Sequence, residues 1–120
     1  MLNKINHIWS TMLPGAYLFE EHDLKDMSIL IGDNWFIIAD VQYNSIDIEA
    51  MATLSPLHIQ DVFRICGWLK SLDWDVLETL ARESTAAPLL RLLAKREGWS
   101  IEESKGDICD EEASWITITR

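Results

Sequence analysis

The chain has 120 residues, 48% of them hydrophobic, and a formal net charge of −10. This length suits one core over residues 1–120, and the acidic balance disfavours nucleic-acid partners while favouring basic protein partners or plain solubility. No run of about 18 apolar residues is present, so no membrane-spanning helix or membrane partner is expected.

Residues 3–12 place Ile5, Ile8, Trp9 and Met12 on one helical stripe, which Pro14-Gly15 ends. Met1–His7 lacks the apolar stretch of a secretory leader, so a cytoplasmic location is expected. The segment 17–26 is polar, with Leu18 and Phe19 as anchors and Glu20, Glu21, Asp23 and Asp26 as a solvated acidic cluster. Ser28–Ile31 and Trp35–Ala39 are β-branched and aromatic runs around Gly32-Asp33-Asn34, which predicts a hairpin whose second strand continues through Val41 and Tyr43. Both runs are apolar on both faces and need cover. An unpaired hairpin edge also makes β-pairing into a homodimer conceivable.

Asn44-Ser45 reads as a turn, and Ile46–Met51 alternates as a half-buried strand. Ser55-Pro56 then reads as N-cap and first helical position of a helix to Leu72, with Ile59, Val62, Phe63, Cys66 and Leu69 inward. Residues 74–81 read equally as strand or short helix. Thr85 is expected to cap a helix carrying Leu89, Leu90, Leu92 and Leu93, which Gly98 stops. Trp99–Glu103 and Ser114–Arg120 read as strands, joined by a long acidic loop that holds Cys109.

Ser55-Pro56-Leu57-His58, the helix after it, Asp75–Ala81, Thr85-Ala86-Ala87, Arg96-Glu97-Gly98-Trp99, Ser100–Glu103 and Trp115–Arg120 follow one another in an order that resembles the TusA/SirA-like sulfur-carrier family over about residues 46–120. The resemblance implies an α+β fold over that stretch, a two-layer α/β sandwich, β-α-β-α-β-β; the N-terminal helix and β-hairpin of residues 1–44, read from their own patterns, precede it and have no counterpart in the family. The family sets a cysteine at the start of its first helix, where the helix N-terminus favours the thiolate that accepts sulfur. Ser55 stands there instead, and an unactivated hydroxyl holds no persulfide.

The residues themselves offer few other reactive groups. Ser55 reads first as a cap. His58, within a turn of it, is a candidate base with no acidic residue fixed by spacing to orient it. Cys66 sits on an apolar helix face as a buried thiol, and Cys109 lies among Asp107, Asp110, Glu111 and Glu112, a poor setting for a sulfur carrier. Those four acids form a docking surface for a basic protein or a solvated edge. Trp68 and Trp115 fall off the apolar stripes and read as exposed interface anchors. His7 and His22 are isolated. Two cysteines make no disulfide framework, and no zinc, calcium or cofactor motif is present, so no metal or cofactor is expected.

Three functions follow as expectations. The first is a non-catalytic protein-binding module (a regulator, adaptor or inhibitor) on a sulfur-carrier scaffold, binding through Ser55, His58, Trp68, Trp115 and the 107–112 acids. The second is a winged-helix DNA-binding regulator with Arg91, Lys95 and Arg96 on its recognition helix. The third is sulfur transfer through Cys109 or Cys66. A strand at 75–81 favours the sandwich, and a helix there the winged helix.

Overall fold

Alternating apolar residues put two hydrophobic layers on the two faces of one sheet. The computed structural model describes residues 1–120. Its elements are α1 (Leu2–Met12), α2 (Glu21–Leu24), β1 (Ser28–Ile31), β2 (Trp35–Gln42), β3 (Ser45–Thr53), α3 (Ile59–Ser71), β4 (Val76–Arg82), α4 (Ala86–Glu97), β5 (Ser100–Ile108) and β6 (Glu111–Thr119). The fold is mixed α+β, a six-stranded sheet in the order β1-β2-β3-β4-β6-β5 flanked by helices. All neighbours pair antiparallel except β3 and β4. No helix is long and apolar enough to cross a membrane.

The doubly apolar β2 is explained by its two covers. Trp35, Ile37 and Ala39 face a core shared with Ile65, Cys66 and Leu69 of α3 and with Leu89, Leu90 and Leu93 of α4. Phe36 and Ile38 face the opposite way, against Ile5 and Ile8 of α1 and Leu24 of α2. Helices α1 and α2 cover only the β2–β3 half of their face. Glu78 and Trp115, on β4 and β6, remain exposed there.

Several expectations change. The ambiguous 74–81 segment is a strand, Val76–Arg82, paired along its length with β6, which removes the helix-turn-helix that the winged-helix reading requires. The long acidic loop at 104–113 does not exist. Strands β5 and β6 run to Ile108 and Glu111 and turn on Cys109-Asp110, both at positive φ. Likewise the β2–β3 turn sits on Tyr43-Asn44, one residue earlier than expected.

Helix α3 starts at Ile59 with His58 extended at its N-cap, so Ser55 caps nothing. A residue before proline is biased away from the helical region, and the Thr53 hydroxyl donates to the Ser55 carbonyl and ties 53–55 into a turn. The inward face of α3 is also rotated. Ile65, Cys66 and Leu69 are buried while Ile59 and Phe63 are exposed. Trp68 is half-buried and packs against the core, so it is no exposed anchor. The segment 21–24 is a short helix, closed by Asp23 accepting from the Glu20 N–H at 2.8 Å. Gly98 ends α4 at φ 70°, a conformation that favours glycine.

Candidate functional site

The feature that positions a site is a split in the sheet. Strands β3 and β4 pair only at Ser45–Val76 and Ile46–Leu77, although β3 runs on to Thr53 and β4 to Arg82. Two local causes keep them apart. The Thr79 hydroxyl, buried on β4, donates to the Ile48 carbonyl and accepts from the Ile48 N–H, both at 3.2 Å, so a side chain stands where ladder bonds would form. One residue further, β3 bulges: Ile48 faces Ala39 and Ala50 faces Ile38, which leaves Glu49 without a partner. A bulge of this kind bends the strand and re-aims side chains.

Beyond the bulge the alternation of the β2–β3 ladder is set by the Leu54 N–H bonding the Asn34 carbonyl. It turns the N–H and C=O of Met51 away from β2 and toward β4, where no strand receives them.

The split opens into a slot through the sheet. Ile48, Ala50, Met51, Leu80, Ala81 and Thr85 line its waist. On the helix side it widens between the N-terminal ends of α3 and α4, among Thr53, Pro56, Leu57, Ser84, Thr85 and Leu89, with no charged residue. Met51 and Thr85 belong to both spaces. On the open face the slot meets a cavity of about 590 Å³ lined by Asp47, Glu49, Glu78, Thr79, Trp115 and Thr117, with Ile48, Glu49 and Leu80 common to cavity and waist. One end is therefore apolar and neutral, the other carboxylate-rich with an aromatic wall.

Glu49 is the titratable group at the junction. Partial burial pushes its carboxyl above the ordinary range, and repulsion from Asp47 and Asp40 adds to the shift. Thr79 is held by Ile48 and is a spacer. Behind the sheet, Arg91 grips Glu83 at 2.6 Å and Glu103 at 2.7 Å, and Ser114 donates to Glu83 at 2.5 Å. The Arg91 and Ser114 hydrogen bonds lower the Glu83 carboxyl to about 2, an anchor of β6 and α4 and not part of the slot.

The residues expected to form a binding surface do not come together. Trp115 is 55% exposed and walls the open-face cavity. Ser55 and His58 share a recess beside the start of α3 with Asp33 and Asp61. Asp107 faces Glu112 across the β5–β6 hairpin, Asp110 is in its turn, and Glu111 bonds Arg82 at 2.7 Å. No group of three or more His, Cys, Asp or Glu residues is arranged to hold a metal ion. Sequence reasoning missed Asp47, Glu49, Glu78, Thr79 and Met51. The one available signal was the polar face of β3, Asp47 and Glu49 two apart, which read as ordinary solvent exposure.

No protein-family model matches the chain, and no curated protein does. Among solved structures the class that emerges is the N-acetyltransferase fold. The chain is similar to the ribosomal-protein-S18-alanine N-acetyltransferase of Escherichia coli, with 17% identity and a TM-score of 0.52 over 98% of this chain and 84% of that one. An acetyltransferase of Bacillus subtilis in complex with CoA is 14% identical, with a TM-score of 0.44 over 82% of this chain and 78% of that one. The first of these likenesses shows a shared fold and nothing finer.

That fold replaces the sulfur-carrier resemblance. It takes in 98% of the chain, including residues that the sulfur-carrier pattern leaves without counterpart. A strand at 76–82 belongs to both patterns, so it separates neither from the other. The view of Ser55 as the remnant of a lost cysteine falls with the resemblance. So does the non-catalytic regulator as it was expected, since the sulfur-carrier scaffold it was placed on gives way to the N-acetyltransferase fold. Sulfur transfer is not supported either: Cys66 is 3% exposed with its thiol pushed up by burial, and neither cysteine lines the slot.

Proposed function

We propose that the chain is an acyltransferase, passing an acyl group from a thioester donor laid through the β3–β4 slot to an amine on the open face. The unit is residues 1–120 taken as one domain. One observation carries the reading: a slot that crosses the sheet at a β-bulge and joins an uncharged apolar mouth to a cavity holding a carboxyl of raised pKa. The fold shared with an N-acetyltransferase supports it.

Acyl groups travel on carriers of the CoA kind, whose neutral extended arm supplies the acyl carbon activated as a thioester. The residues here fit that arm. The unreceived N–H and C=O of Met51 match a neutral amide, and Ser84, Thr85, Leu57 and Leu89 surround it with hydroxyls and apolar surface. The diphosphate end of CoA finds no such fit.

As the new C–N bond forms the amine nitrogen gives up a proton, the C–S bond of the thioester breaks, and the departing thiolate takes up a proton and leaves as the free thiol. The Glu49 carboxylate takes the amine's proton, and its raised pKa makes it a stronger base than an ordinary carboxylate. Asp47 and Glu78 attract a cationic amine to the cavity, and the Trp115 ring offers it a face. A basic partner is thereby kept as a proposal, in the role of acceptor.

The test is thiol release from an acyl thioester against a panel of amines. Amine-dependent release is expected, with kcat lowered by about 10²–10⁴ in Glu49→Gln. Absence of amine-dependent release with any acyl thioester would overturn the proposal.

A further inference from the structure

We infer that the slot holds its donor by the pantetheine arm alone and gives a diphosphate no seat, so free CoA is bound no better than the bare arm. This rests on the acyltransferase reading and specifies the donor for that same slot. A diphosphate at the helix-side mouth would need backbone N–H groups free to wrap it and cations to neutralise it.

Neither is present. The loop between β3 and α3, Leu54–His58, contains no glycine, and Pro56 has no N–H to offer. The first turn of α3 already carries Asp61, which shares its flanking recess with Asp33. Two carboxylates therefore face the place where the helix N-terminus would meet an anion. The mouth lined by Ser84, Thr85 and Leu89 includes no lysine or arginine. On the flanking helices Arg64 stacks over the Trp35 ring at 5.5 Å, and Arg96 over Phe63 at 4.6 Å. A net charge of −10 adds a repulsive field to all of this. The arm, being neutral, is indifferent to that field and pairs with the open edge of β3.

The experiment compares pantetheine with CoA by amide chemical-shift titration of the whole chain at low and high salt. Both ligands are expected to move the Met51 and Thr85 amides, with dissociation constants within about threefold, because a single charge-assisted phosphate contact would favour CoA by about tenfold or more. Salt should leave pantetheine unaffected and slightly tighten CoA by screening the carboxylates. In Asp33→Asn/Asp61→Asn, both sites being at the surface, CoA should tighten while pantetheine stays as it was.

CoA binding tenfold tighter than pantetheine, or weakening steeply with salt, would overturn the inference and leave acyl transfer standing. An unchanged CoA affinity in the double variant would overturn the part assigned to the two carboxylates. If neither compound moves the slot amides, the acyltransferase reading falls, and the inference with it.

Discussion

Glu49 and Glu83 are both carboxylic acids on or beside the same sheet, and their surroundings push them in opposite directions. Glu49 is raised, first by burial and then by Asp47 and Asp40, so the folded state holds its proton more firmly than the unfolded chain does. A raised acid loses stability as pH climbs through the unfolded and then the folded pKa. Glu49→Gln is therefore expected to raise Tm at neutral pH while lowering turnover, and thermal scans at pH about 3.5 and about 8 should show the gain at the higher value alone, because at the lower one the carboxyl is largely protonated in both states. Glu83 is the reverse case. Hydrogen bonds from Arg91 and Ser114 lower it to about 2, so its contribution is complete above the unfolded pKa and fades as pH falls from about 4.5 toward 2. Acid titration of Glu83→Gln against the parent should show a shallower fall in Tm across that interval. Asp47 beside Glu49 was readable in the chain, but the burial of Glu49, the reach of Asp40 across β2–β3 pairing and that of Ser114 to Glu83 from β6 were not.

Elements with a strong period were legible, and those set by long-range pairing were not. The α1 stripe of Ile5 and Ile8 and the Gly98 stop of α4 follow from local chemistry and stand in the structure, whereas Thr85 holds the N-cap position of α4 without a side-chain capping hydrogen bond. The β5–β6 hairpin was misread because Ser104–Ala113 is polar and acidic, and strand propensity in such a run is weak. Pairing with β6, itself paired to β4, extends β5 to Ile108. Its turn places Asp110 at φ 65°, which a residue with a Cβ adopts at a cost. Asp110→Gly should stabilise the chain by about 1 kcal/mol, read as a higher denaturant midpoint with unchanged slope. In the other direction, a Cβ on Gly32 would lie 2.1 Å from the Trp35 indole. Gly32→Ala should cost about 1–3 kcal/mol in the same assay, since that indole is buried and has little room to move.

At the scale of the whole molecule the sheet is continuous in order but interrupted in pairing, and the interruption is the site. Amide exchange should report it directly. The Met51 N–H, turned into the slot, should exchange faster than that of Ala52, turned to β2, and pantetheine should slow Met51 selectively. Equal protection of the two amides in the free protein would contradict the split. Composition and periodicity alone determined that this chain is a mixed α+β protein with helices at its start, middle and later third and with strands apolar enough to need cover on both faces. Those properties depend on residues close in sequence. Which strands become neighbours, where β3 and β4 part, and that Glu49, Glu78 and Trp115 share one cavity were decided only by the tertiary structure. These residues lie tens of positions apart, and only the folded sheet, with a threonine side chain and a bulge holding two strands open, brings them together.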